Sequence, residues 1–265
     1  TLAENFKLAK QAGFDGVEVA LDETGELSLE STRADVDKIK AAAKQAGIEL
    51  YSVASGLYWK YSLSSDDEKM REKAKACVRK QLEVASWLGC DTILIVPGAV
   101  SVSFSPELGV TDYDIVYERS LAAVKELAKD AEHFKVSIGL ENVWNNFLLS
   151  PLEMRDFIDK VGSDYVGSYF DVGNVLYCGY PEQWIKILGK RIKKVHFKDY
   201  RRAVGSLDGF VDLLAGDVNW KAVKDAFDKA GYNGWVTGEM IPPYAQHSET
   251  IIFNTSNAMD KIIGR

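Results

Sequence analysis

The sequence predicts an α/β fold, a (β/α)8 barrel whose first strand is missing from the chain, organised as one domain over residues 1–265. Three observations lead there. Amphipathic helical patterns alternate with short apolar runs rich in Val, Ile, Tyr and Phe, one pair per roughly 30 to 40 residues. The joints repeat: Ala12-Gly13-Phe14-Asp15-Gly16-Val17 and Ala230-Gly231-Tyr232-Asn233-Gly234-Trp235 each close a helix on glycine and enter a strand. The turn after the first apolar run carries neither GxGxxG nor GxxxxGK[ST], which removes the best support for the competing architecture, an open doubly wound sheet.

In chain order, Thr1-Leu2-Ala3-Glu4 has the spacing of a capping box, so the chain opens on a helix and a short upstream segment is expected. Apolar runs follow at 16–20, 49–53, 92–96, 136–140, 166–170, 194–197 and 235–238, each read as a strand. Helical stretches at 32–45, 67–88, 113–132, 151–161, 181–188 and 220–230 supply crossovers between parallel strands. Seven strands after a helix-first start make a barrel one strand short.

Composition narrows the function classes. Hydrophobic residues at 46% and charged residues at 27% fit a soluble globular chain and exclude a disordered or collagen-like one. With 32 Lys and Arg against 39 Asp and Glu, the net charge is −7, so no global positive field draws the chain to nucleic acid or anionic lipid. Cys77, Cys90 and Cys178 are odd in number and lack CxxC spacing, which argues against a disulfide framework or zinc ribbon and for a reducing cytoplasm. No apolar run reaches the ~20 residues that span a bilayer, and no signal peptide opens the chain.

The strongest functional signal lies in the second half, where consecutive strands end in Leu140-Glu141-Asn142, Phe170-Asp171-Val172, Val195-His196-Phe197 and Gly238-Glu239-Met240. All strand C-termini of a parallel barrel meet at one rim, so these residues converge. An acid at a strand end is also a common helix N-cap, but four ligand types in succession favour a shared site. Three carboxylates and one imidazole suit a single divalent ion, Mn²⁺ first, with Co²⁺, Mg²⁺ or Zn²⁺ as alternatives.

These segments, with Asp171-Val172-Gly173-Asn174 and His196-Phe197-Lys198-Asp199 extending two of them, resemble the metal-ligand motifs of the sugar-phosphate isomerase and epimerase family. The resemblance covers nearly the whole chain and is nearest to the D-tagatose/D-psicose 3-epimerases and the L-ribulose/L-xylulose 5-phosphate epimerases. It implies a xylose isomerase-like TIM barrel, Glu141, Asp171, His196 and Glu239 as metal ligands, and frequent dimers or tetramers. It also gives Glu141 and Glu239 a second task, as an acid/base pair on opposite faces of a ketose or ketose phosphate. The physical logic agrees: a proton beside a ketone leaves when the enediolate is stabilised, and a second carboxylate returning it to the other face inverts that carbon.

Around this set, Arg202 resembles the family's substrate-holding arginine, and Lys198 with Arg201 and Arg202 would suit a sugar phosphate. Asn174 stands where free-sugar 3-epimerases typically have a histidine, and its amide hydrogen-bonds but does not titrate near neutrality. Phe147 likewise replaces a polar contact of some epimerases. Trp144 and Asn145 would line the pocket or pack beside it. Ser55-Gly56-Leu57-Tyr58-Trp59-Lys60 reads as a rim lid or as packing. Glu18 would orient pocket groups without being a ligand, and His133 and His247 read as a surface residue and a loop residue.

Alternatives share the barrel. Return of the proton to the neighbouring carbon gives an aldose–ketose isomerase, and loss of hydroxide an inosose-type dehydratase. A DNA-repair endonuclease needs more imidazoles and positive surface than three histidines and a net charge of −7 provide. A non-catalytic sugar-binding barrel would not need both glutamates.

Overall fold

The computed structural model describes residues 1–265. The chain runs α1 (Leu2–Ala12), β1 (Gly16–Ala20), α2 (Arg33–Ala46), β2 (Glu49–Ala54), α3 (Glu68–Leu88), β3 (Thr92–Ile95), α4 (Tyr113–Phe134), β4 (Ser137–Glu141), α5 (Pro151–Val161) and β5 (Val166–Asp171). It continues through α6 (Val172–Leu176), α7 (Pro181–Leu188), β6 (Ile192–Phe197), a hairpin of β7 (Asp199–Tyr200) and β8 (Phe210–Val211), α8 (Trp220–Ala230), β9 (Val236–Gly238) and α9 (Thr250–Ile263). Seven parallel strands form one curved sheet in the order β1-β2-β3-β4-β5-β6-β9, a nearly closed barrel ringed by the helices.

Local chemistry sets the element ends. Thr1 caps α1 with a reciprocal capping box to Glu4, and Gly13 ends it at φ 102°, a conformation that costs a residue with a Cβ. Apolar helix positions and strands share the core, where Phe6, Leu82, Leu127, Ile138, Phe157, Phe170 and Ile185 are fully buried. β3 and β5 are buried along their whole length, as expected of parallel strands with a filled interior and helices outside.

The edges of the sheet, β1 and β9, leave a gap where an eighth strand would close the ring. Side chains bridge it. Tyr51 of β2 stacks on Trp235 with centroids 4.4 Å apart and planes 6° from parallel, and its hydroxyl lies 2.8 Å from Thr237 Oγ1. Beside this seam lies a cavity of about 840 Å³ lined by Phe14, Val17, Tyr51, Trp235, Val236 and Met259, among others.

All seven strands and the six crossover helices of the sequence reading are present, with ends shifted by a residue or two. Four elements, α6, β7, β8 and α9, were not legible there. The α6 helix has five residues, the hairpin strands two each, and the buried face of α9 includes Thr255 and Ser256, which hide its amphipathic period.

Candidate active site

Glu141 is the last residue of β4, Asp171 the last of β5, His196 the fifth of β6, and Glu239 follows β9 directly. These four strands are consecutive in the sheet, so their C-terminal ends form one arc of the rim. Local hydrogen bonds fix the arc. Asp171 caps α6 by accepting from Asn174 N through Oδ1 at 2.6 Å, which leaves Oδ2 free to face the barrel axis. Asn142 clamps β4 to β5: its Oδ1 accepts from Asp171 N at 3.0 Å and its Nδ2 donates to Asp171 O at 2.8 Å. Gly173 allows the next close approach, because a Cβ there would lie 2.6 Å from the carbonyl oxygen of Lys198.

One ligand atom from each of Glu141, Asp171, His196 and Glu239 lies within 4.8 Å of every other. His196 Nδ1 is 3.8 Å from Glu141 Oε1, 4.0 Å from Asp171 Oδ2 and 3.5 Å from Glu239 Oε2. Ligands held ~2.1 Å from one ion stand ~3 to ~4 Å apart, so the three distances from His196 fit a common centre. The polar accounting agrees. Asp171 Oδ2, His196 Nδ1 and Glu239 Oε2 are buried and make no hydrogen bond, a cost that a shared cation removes.

Lys198 brings a cationic side chain to the centre. Its Nζ forms ion pairs with Glu239 Oε2 at 2.7 Å and with Asp171 Oδ2 at 3.5 Å. It also donates to Asn174 Oδ1 at 3.2 Å and sits 4.9 Å from the centre of the Phe210 ring.

Crowding of charge in a largely buried site moves the proton affinities apart. Burial, followed by the charge of Glu239, pushes Glu141 up to about 8. Burial also pushes Asp171 up to about 6, against the pull of Lys198. For Glu239 the burial penalty is overcome by Lys198 and His196, which hold it well below the usual carboxylate range. For His196, burial alone would lower the value, but Glu18 and Glu239 together raise it well above that of a free imidazole.

The sequence-predicted contacts divide. A cavity of about 320 Å³, at the small end of the range for ligand sites, meets the centre at Glu239 and is also lined by Trp144, Asn174 and Lys198. Trp144 donates from Nε1 to Asn174 O at 3.0 Å, and Asn174 Nδ2 donates to Asn142 O at 3.1 Å, so both are fixed. Arg202 does not line this cavity: it is exposed, donates to Gly179 O at 2.7 Å and stacks on Tyr180 at 4.7 Å. Phe147 packs in the core against Tyr113 and Phe157. Of the segment 55–60, Leu57 and Tyr58 are buried in the core, and Trp59 reaches the cavity edge-on to Phe104. His133 and His247 are exposed and apart from the centre.

Sequence reasoning missed Asn142 as a clamp, and it missed Ser52 and Tyr169, which surround Glu18 and His196. Ser52 accompanies Glu18 by donating to its Oε2 at 2.6 Å, and Tyr169 donates to the same oxygen. A signal existed in the period of two: Tyr169 is two residues before Asp171 and shares its face.

Comparison with known proteins gives the same picture at the level of fold. A family model described as xylose isomerase-like TIM barrel matches residues 6–256. SgbU of Escherichia coli strain K12, provisionally designated an L-ribulose-5-phosphate 3-epimerase, is 27% identical over 252 residues, covering 89% of this chain and 82% of its own. UlaE of Salmonella heidelberg strain SL476, named an L-ribulose-5-phosphate 3-epimerase, is 24% identical and covers 91% of this chain and 82% of its own. Among solved structures, a D-psicose 3-epimerase determined with D-fructose superposes with a TM-score of 0.80 at 19% identity, covering 100% of this chain and 94% of its own. The IOLI protein with a bound zinc atom superposes with a TM-score of 0.78 at 19% identity, covering 100% and 93%.

Proposed function

Because the chain belongs to the xylose isomerase-like TIM barrel family, we propose that it is an isomerase, a divalent-metal-dependent epimerase acting at C3 of a ketose or ketose phosphate. The observation that carries this reading is the convergence of Glu141, Asp171, His196 and Glu239, three of whose facing atoms make no hydrogen bond within the protein. The relatives named as 3-epimerases support the reaction class.

Glu141, Asp171, His196 and Glu239 would hold one ion, with Mn²⁺ the expected occupant and Co²⁺, Mg²⁺ or Zn²⁺ as substitutes. Bound there, it would supply Lewis-acid stabilisation of charge developing on substrate oxygens. The chain's own residues do the proton work. Glu141 and Glu239 come from the outer two of the four strands and so flank whatever sits between them. One takes the proton from C3, and the other delivers a proton to the opposite face of the enediolate, a contribution of ~10²–10⁴-fold for general acid/base catalysis. Trp144, Asn174 and Lys198 line the substrate end, and Trp59, Phe104 and Phe210 form an apolar wall beside it. Arg202 would join them only by leaving Gly179 and Tyr180.

Ketoses and ketose phosphates incubated with the metal-loaded protein in solvent deuterium test the proposal. Deuterium at C3 with inversion is the expected result, and Glu141→Gln and Glu239→Gln are each expected to abolish it. Hydrogen transfer between C1 and C2 would make the protein an aldose–ketose isomerase, and water loss a dehydratase. Absence of exchange with every sugar, or wild-type turnover by either variant, would overturn the assignment.

A further inference from the structure

We infer that Glu18 is a positioning residue for the cation site: it fixes which nitrogen of His196 faces the ion and thereby sets the affinity for it. The inference rests on the metal-dependent reading above but concerns a residue that neither binds the ion nor touches the sugar. Glu18 lies on β1, the far edge of the sheet from His196 on β6, so the contact crosses the barrel interior. Its Oε1 is 2.9 Å from His196 Nε2. A carboxylate only accepts, so Nε2 keeps the proton, and Nδ1 is the nitrogen that gives up its proton and offers a lone pair when an ion is taken up. Nδ1 is the buried nitrogen without a partner, and it faces the three carboxylates.

Glu18 is itself held. Both Ser52 Oγ and the Tyr169 hydroxyl donate to Oε2, so its two oxygens have separate duties. The strand pairing is irregular at two of these residues. Register shifts fall between Val17 and Glu18 in the β1–β2 pair and between Ser168 and Tyr169 in the β5–β6 pair. Such irregularities re-aim side chains. The Tyr169 ring also packs edge-on to the imidazole with centroids 4.7 Å apart, which resists ring rotation. A histidine whose second nitrogen donates to a carboxylate is a better oriented and more basic ligand, and loss of such a partner typically costs about 10- to 100-fold in metal affinity.

The test is Mn²⁺ binding to metal-stripped protein, with free ion counted by electron paramagnetic resonance, for wild type, Glu18→Ala, Glu18→Gln and Tyr169→Phe. Glu18→Ala is expected to weaken binding about 10- to 100-fold. Glu18→Gln has the same shape and keeps an acceptor for Nε2–H, so it falls between Glu18→Ala and wild type and controls for folding. Tyr169→Phe shows the smallest loss. Nitrogen-15 histidine spectra of the Zn²⁺-loaded protein supply a readout that general destabilisation would not move. Wild type shows a protonated Nε2 and a metal-bound Nδ1, Glu18→Ala loses that single pattern, and exposed His133 and His247 serve as references. Wild-type affinity or an unchanged nitrogen pattern in Glu18→Ala overturns the inference. If wild type binds no divalent ion, the functional reading falls with it; if wild type binds but turns over no sugar, only the reaction assignment falls.

Discussion

Glu141 and His196 bind protons where the proposed ion would need lone pairs, and this would make its uptake sensitive to pH. Glu141 stands at about 8 through burial and the neighbouring charge of Glu239, and His196 is raised through Glu18 and Glu239 despite its burial. Both folded-state values exceed the unfolded ones. The stabilisation that these protons give the metal-free protein is therefore complete below the unfolded values and fades for Glu141 as pH rises through about 8. An ion must displace the same protons, so its uptake strengthens over that interval. The increase in melting temperature caused by saturating Mn²⁺, relative to chelator, should be larger at pH 8.5 than at pH 6. An equal or smaller increase at pH 8.5 would show that these residues do not take up the ion as carboxylate and neutral imidazole. At this scale the sequence disclosed residue types and their order. It concealed Asn142, Ser52 and Tyr169, because a hydrogen-bond partner is identified by direction, and direction is set by register.

Between β6 and α8, the connection of residues 198–219 depends on one buried acid. Asp199 accepts from Tyr200 N at 2.9 Å, Leu214 N at 3.0 Å, Val218 N at 3.2 Å and Trp220 Nε1 at 3.0 Å. Gly216 packs so closely that a Cβ would lie 2.1 Å from Asp199 Oδ1. These bonds anchor the segment that carries Leu207 and Phe210 to the wall of the small cavity. Asp199→Ala strands four buried or half-buried donors and is expected to cost about 3 kcal/mol or more. Because Asp199 does not line the cavity, the variant should raise KM more than it lowers kcat. Denaturant titration and steady-state kinetics check both parts, and a variant as stable as wild type would show that the segment is held by other contacts. The acid was visible in the sequence beside Lys198, but three of its four donors lie 15 to 21 residues onward in a stretch with little periodic pattern.

Across the whole molecule, barrel closure relies on side chains at the β1–β9 seam. The stacked pair Tyr51 and Trp235, with the hydroxyl contact to Thr237, joins β2 to the strand at the opposite edge. Trp235 is half-buried, so Trp235→Ala is expected to destabilise the fold by about 2 kcal/mol, less than a core tryptophan would. Glu239 follows β9, so the same substitution should also weaken Mn²⁺ binding; a loss of stability with unchanged binding would show that the seam and the ligand arc are independent. The sequence by itself determined the alternation of helices and strands, the parallel order and the placement of three carboxylates and one imidazole at successive strand ends. Those depend on local periodicity and on a rim that every parallel barrel shares. Tertiary structure alone decided that Glu18 reaches His196 across the interior, that Lys198 stands among the carboxylates, and that Arg202 turns outward to Gly179 and Tyr180. Such contacts join residues up to 178 positions apart, and only the curvature and register of the closed sheet bring them within bonding distance.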